Sequence, residues 1–203
     1  MDVLQRSVGS KFQAYYDIAV KEAGVIPEWR QDTALPYGKI RWHRYEGQKT
    51  PVIILNTNLS QDVFESIAAH ELSHMLQYAQ GYPQVLSRRG SGLGKVAEMI
   101  SDLVTDPDAD NRLKSRGLWC SERIDKGFDE IQRALPSVKP EHDKPGKAFF
   151  TINALQYTYA KIQLSETQWL IARNIFLKVP PNTSNWSRMS ITYTKPLYAV
   201  TNP

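Results

Sequence analysis

One short segment limits what this chain can fold into. His70-Glu71-Leu72-Ser73-His74 lies within Gln61 to Gln80, a stretch that reads as a single helix. Ser60 can serve as its N-cap, with Asp62 and Glu65 acidic in or near the first turn. Val63, Ile67, Leu72, Met75, Leu76 and Ala79 recur at roughly helical spacing. Gly81 is placed to end the helix at C′, and Pro83 opposes its continuation. On such a helix, residues four apart are offset by about 40° around the axis and about 6 Å along it. His70 and His74 can therefore address one point.

Two imidazoles at that spacing suit a zinc ion. Glu71 lies about 100° round the helix from His70. It is badly placed to be a ligand but well placed to take a proton from a zinc-activated water that attacks a carbonyl. A catalytic zinc wants a third protein ligand. Lys95 to Val104 reads as a second helix after the Gly-rich turn Gly90 to Gly94, with Val96, Met99, Ile100 and Leu103 as its apolar stripe. Glu98 on that helix can supply the third ligand. Asp102, one turn later, can accept a hydrogen bond from the non-ligating nitrogen of a zinc-bound histidine. Asp106 is the alternative third ligand.

Glu98-Met99-Ile100-Ser101-Asp102 after H-E-x-x-H resembles the pattern of the gluzincin metallopeptidases, thermolysin among them. The resemblance covers His70 to Asp102 and one upstream strand, and is closest to the small, minimal gluzincins. It implies a zincin-like α+β fold, with a small, mostly antiparallel sheet packed on the active-site helix and a mainly helical C-terminal half. It implies one Zn²⁺ held by His70, His74 and Glu98, with Glu71 as general base and Asp102 behind a ligand histidine. The activity implied is endopeptidase hydrolysis of a peptide or protein substrate without a covalent intermediate. A latent or catalytically weak binding module is the alternative. Against it, a purely structural zinc site has no use for Glu71 and needs a fourth protein ligand.

Upstream, Lys39 to Tyr45 and Pro51 to Thr57 read as two strands turned by Glu46-Gly47-Gln48. In zincins the strand before the active-site helix is commonly a sheet edge that accepts substrate as a further strand. Backbone groups near Asn56, Thr57 and Asn58 are then expected to bind substrate. An oxyanion donor is also needed, and His43, His142, Tyr157, Tyr159 and Tyr193 are the candidates.

The remainder sets outer bounds. The 203 residues, 41% hydrophobic and 23% charged, suit one soluble domain, with a possible lobe boundary near 136–147. A net charge of +4 is spread among scattered basic residues, which argues against nucleic acid. Cys120 is the single cysteine, so no internal disulfide can form. With no signal-type apolar core and no membrane-length run, the expected location is the cytoplasm. Val3 to Ala23 reads as a helix ended by Gly24, and Pro27 to Pro36 as a linker. Thr105 to Asn111 fits a calcium loop poorly and reads as an acidic helix start before Arg112 to Arg116. Ser121 to Leu135 reads as helical and Pro136 to Pro145 as a loop. Ala148 to Gln163 and Glu166 to Val179 read as helices with Ser165 as N-cap between them. Pro180 to Pro203 reads as extended.

Overall fold

The structure, a computed structural model, describes residues 1–45, 48–83, 85, 94–125, 128–129 and 148–178. It is a mixed α/β protein with small sheets. The chain divides into two compact units, residues 1–85 with 104–125, and residues 86–103 with 126–203. The division thus falls inside a helix and after residue 125. The expected lobe boundary at 136–147 lies outside the described residues.

In the first unit, strands β1 (Asp2–Val3) and β2 (Arg6–Ser7) form a small hairpin, and helix α1 follows at Ser10–Ala23. The helix therefore starts later than Val3. Leu4 and Gln5 take positive φ values, 51° and 65°, and make the hairpin's two-residue turn. Arg6 is drawn away from a helical path. Its guanidinium donates to the carbonyls of Thr57 and Leu59 and lies over the Phe64 ring. Gly24, at φ 65°, ends α1 as expected.

Strands β3 (Glu28–Gln31), β4 (Gly38–Tyr45) and β5 (Gln48–Leu55) form one sheet in the order β3-β5-β4. β4 is antiparallel to β5 and β3 is parallel to it. The Pro27 to Pro36 stretch is thus not only a linker. Its Glu28–Gln31 portion is an edge strand that is mostly exposed, which hides the strand period. Ile53 and Leu55 are fully buried, and Ile40 and Trp42 pack against the same core. Gly38 is required where β4 meets this core. A Cβ there would lie 2.7 Å from Leu55 Cδ2 and 2.8 Å from Ile67 Cγ2.

Helix α2 (Gln61–Ala79) runs through the core and contacts α1, β4 and β5. Val63, Phe64, Ile67, Ala68, Ala69, Leu72, Met75 and Leu76 are all buried on it. Ser60 precedes its first residue, but the hydroxyl faces Glu122 at 3.4 Å and does not cap the helix. Gly81, at φ 78°, ends it. Tyr82 N–H donates to the Gln77 carbonyl and Gly81 N–H to that of Tyr78, the double bond of a Schellman ending.

Helix α3 (Gly94–Arg116) is continuous through the segment expected to interrupt it. Pro107 has no N–H for the Leu103 carbonyl, and the boundary between the two units falls directly after Leu103. Beyond it, Asp106, Ala109, Asp110 and Leu113 are buried at helical spacing. Their side chains hold the second half of the helix in place despite the proline.

In the second unit, α4 (Ala148–Gln163) packs on α5 (Glu166–Lys178) through Tyr157, Ala160, Ala172 and Trp169. Ser165 caps α5. Its hydroxyl accepts from Gln168 N–H at 3.4 Å while Gln168 Oε1 accepts from Ser165 N–H at 3.2 Å. Of Ser121 to Leu135, Ser121 is in a turn, residues 122–125 and 128–129 are helical, and 126–127 and 130–135 lie outside the described residues. So do 136–147 and 180–203. Among the described residues, no helix is long and apolar enough to cross a membrane.

Candidate metal centre

The polar side of α2 meets the second half of α3. His70 and His74, one turn apart, bring their Nε2 atoms to 3.0 Å from each other with the rings edge to face. Asp106 Oδ1 stands 3.7 Å from the first nitrogen and 3.4 Å from the second. This buried trio could hold a metal ion. His70 and Asp106 are sealed from solvent, whereas the His74 side chain keeps 19% of its exposure.

The far side of each imidazole meets an acceptor. His74 Nδ1 lies 2.8 Å from Gln77 Oε1. His70 Nδ1 is 3.3 Å from Asp110 Oδ1, an ion-pair contact rather than an aligned hydrogen bond. Asp110 is in turn clamped by the Arg123 guanidinium. With their Nδ1 protons turned outward, neutral imidazoles present lone pairs at both Nε2 atoms. Two nitrogen lone pairs and a carboxylate then crowd one point with no donor among them. That arrangement needs a cation, either a proton or a metal.

In the metal-free chain a proton fills the role. Burial alone would lower the His74 pKa, but the Asp106 hydrogen bond and the fields of Glu71 and Asp106 outweigh it and raise it to about 9. Burial pushes Asp106 up, yet the two imidazoles overcome this and hold its carboxyl well below the ordinary range. Asp110 is also held low. Its desolvation is outweighed by His70 and Arg123.

Glu71 stands apart from its neighbours on the helix. Five polar side chains of α2 are buried: Ser66, His70, Glu71, Ser73 and Gln77. Ser66 accepts from Cys120 N–H, Ser73 pairs with the Tyr15 hydroxyl and the Ala69 carbonyl, and His70 and Gln77 are held as described above and below. Glu71 alone makes no hydrogen bond among the described residues. Its carboxylate oxygens are not among the sealed polar atoms left without a partner, and their charge acts on His74.

The carboxylate gathered with the two histidines is Asp106, where the sequence pointed first to Glu98. Glu98 is an exposed residue of the second unit, and Asp102, half-buried, belongs to that unit too. Neither is in the metal-ligand group found among the described residues. The same carboxylate spacing recurs eight residues later as Asp106-x-x-x-Asp110, and this is the pair that faces the imidazoles. Asp110, Gln77 and Arg123 were not anticipated. The repeat of an i, i+4 acid pair was the available signal for Asp110. Gln77, one turn from His74, had only its helical spacing.

The strand leading into α2 is not a sheet edge, because β5 is flanked by β3 and β4. The groups expected to bind substrate there are engaged within the chain. Asn56 N–H donates to the Tyr37 carbonyl and its side-chain amide to that of Leu35. The Thr57 carbonyl accepts from Arg6, and Asn58 N–H donates to Asn56 Oδ1. Among the oxyanion candidates, His43 is exposed on β4, Tyr157 is buried in the second unit and Tyr159 is half-buried there. His142 and Tyr193 lie outside the described residues.

No family model matches this chain, and no curated protein or solved structure does.

Proposed function

We propose that this chain is a zinc-dependent peptidase that holds the ion through His70, His74 and Asp106 and uses Glu71 as general base. The observation that carries the proposal is Glu71, beside two converging imidazoles, whose carboxylate makes no hydrogen bond among the described residues and whose charge acts on His74. In this reading Asp106 and Asp110 take the parts that the gluzincin resemblance gives to Glu98 and Asp102.

The donor set supports zinc. Its three atoms form a triangle with sides of 3.0, 3.4 and 3.7 Å, whose corners lie about 2.0 Å from a common centre. Tetrahedral zinc, with bonds of about 2.0–2.2 Å, wants ligand atoms about 3.3 Å apart. Calcium wants six to eight oxygens at longer range. Two histidines and a carboxylate also suit non-haem iron, and the adjacent Glu71 favours hydrolysis instead. A bound zinc ion would supply a Lewis acid and acidify a water at its open position.

The chain's own residues do the rest. Glu71 takes the water's proton at a carboxylate oxygen as the water attacks the scissile carbonyl, then returns it to the departing amine. Asp106 and the imidazoles stay deprotonated on the side facing the ion. Asp110, backed by Arg123, stabilises positive charge on His70.

The test measures bound metal and peptide-library cleavage for wild type, Glu71→Gln, Asp106→Ala and Glu98→Ala. The proposal expects about one zinc and cleavage in wild type, zinc without cleavage in Glu71→Gln, and loss of zinc in Asp106→Ala but not in Glu98→Ala. Iron in place of zinc, or zinc lost only in Glu98→Ala, overturns it.

A further inference from the structure

The Gln77 side chain is almost fully buried and has every polar atom occupied. Its Nε2 donates to the Thr105 carbonyl at 2.7 Å and to Asp108 Oδ2 at 2.9 Å. A backbone carbonyl and a carboxylate can only accept. The amide is therefore fixed in one of its two orientations, with Oε1 toward His74 Nδ1 at 2.8 Å. An amide oxygen can only accept, so His74 must carry a proton on Nδ1. Its Nε2 is left as the nitrogen free to bind a cation. The chain of constraint continues outward. Asp108 is held by Arg112 Nε at 2.7 Å, and Arg112 is held by Gln80 Oε1 at 2.8 Å.

We infer that Gln77 is a positioning residue of the metal centre, which sets the tautomer and ring orientation of His74 through an amide locked by Thr105 and Asp108. The inference rests on the metal-binding reading given above. It assigns the two imidazoles different supports, a neutral amide for His74 and a carboxylate backed by Arg123 for His70. The two hydrogen bonds of Gln77, to Thr105 and to Asp108, join the two helices at the site. Their register is thus the register in which Asp106 meets both histidines.

The test compares wild type with Gln77→Met, which keeps the length of the side chain and removes its acceptor. Zinc affinity is measured by competition with a chelator. Exchange of the His74 Nδ1 proton is followed by NMR in the zinc-loaded protein. Loss of a support of this kind weakens metal binding by about 10–100-fold. We expect that loss, together with faster exchange of the Nδ1 proton, while circular dichroism shows the fold retained. Unchanged affinity and unchanged exchange overturn the inference. Should Gln77→Met fail to fold, Asp108→Ala loosens the amide and leaves Gln77 in place. It is expected to weaken zinc a few-fold and to speed the same proton's exchange, and no change in either overturns the inference. If wild type itself binds no zinc, the metal-binding reading fails with it. If wild type binds and the variants match it, only the role of Gln77 falls.

Discussion

Zinc uptake by this chain should expel a proton from His74, and pH is the perturbation that shows it. His74 sits at about 9 in the metal-free protein, so it is almost wholly protonated at pH 7. A metal needs the Nε2 lone pair and must displace that proton. About one proton per zinc is therefore released from this group at pH 7. Between pH 6.5 and 8.5 the apparent zinc affinity should rise roughly 100-fold on its account, a decade per pH unit. The same shift governs the stability of the metal-free protein. A histidine whose folded pKa is raised contributes stability that is complete below its unfolded value of about 6.5 and is lost as pH rises through about 9. The loss is on the order of 3 kcal/mol. Asp106 acts at the other end. With its folded pKa depressed, its contribution is present above about 3.8 and lost as pH falls through the folded value. The two shifts describe largely one attraction, so their energies are not summed. Calorimetry in buffers of differing ionisation enthalpy counts the protons, and thermal unfolding of the metal-free protein from pH 6.5 to 9.5 reads the stability. Tight zinc binding with no proton released at pH 7, or a melting temperature that holds steady across that range, would refute the reasoning.

Three further changes test the scaffold. Arg123→Ala leaves Asp110 buried without its clamp and should cost about 3–5 kcal/mol, read from denaturant unfolding of the metal-free protein. A loss below about 1 kcal/mol would show the pair is solvated. Gly38→Ala drives a Cβ into Leu55 and Ile67 and should cost about 1–3 kcal/mol, measured the same way. Gly81→Ala forces a side chain into the left-handed region at the end of α2 and should lower stability by about 1 kcal/mol or more. No clash awaits its Cβ, so an unchanged midpoint would mean that the turn simply rearranges.

What the sequence disclosed follows from the kind of signal each residue leaves. His70, Glu71 and His74 sit in a helix whose apolar spacing and glycine ending both point the same way, and the structure keeps that helix within a residue of its expected span. The capped helices near the C-terminus were legible for the same reason. The second half of α3 was not. Its inward stripe is Asp106, Ala109, Asp110 and Leu113, so half of it consists of residue types that normally face water. A proline at 107 added a strong local argument against helix. Strand β3 was hidden because Glu28, Arg30 and Gln31 are exposed edge residues with only Trp29 turned inward. The hairpin before α1 was hidden because Leu4 and Gln5 are residue types that rarely adopt positive φ.

The failed reading of α3 and the metal centre have one physical cause. Burying Asp106 and Asp110 in a core-facing stripe is unfavourable unless positive charge meets them. The chain meets Asp110 with Arg123, and it meets Asp106 with a proton on His74 that any bound metal would replace. The helix therefore closes over α2 through a site rather than through apolar contacts alone. Of the residues that 104–116 bury, only Ala109 and Leu113 are apolar. It follows that a cation binding there should stabilise the packing of residues 104–116 on α2 more than it stabilises α1 or the sheet. Amide hydrogen exchange with and without zinc measures this element by element. Protection gained evenly across the first unit would mean that the site is a passenger on a fold already complete without it.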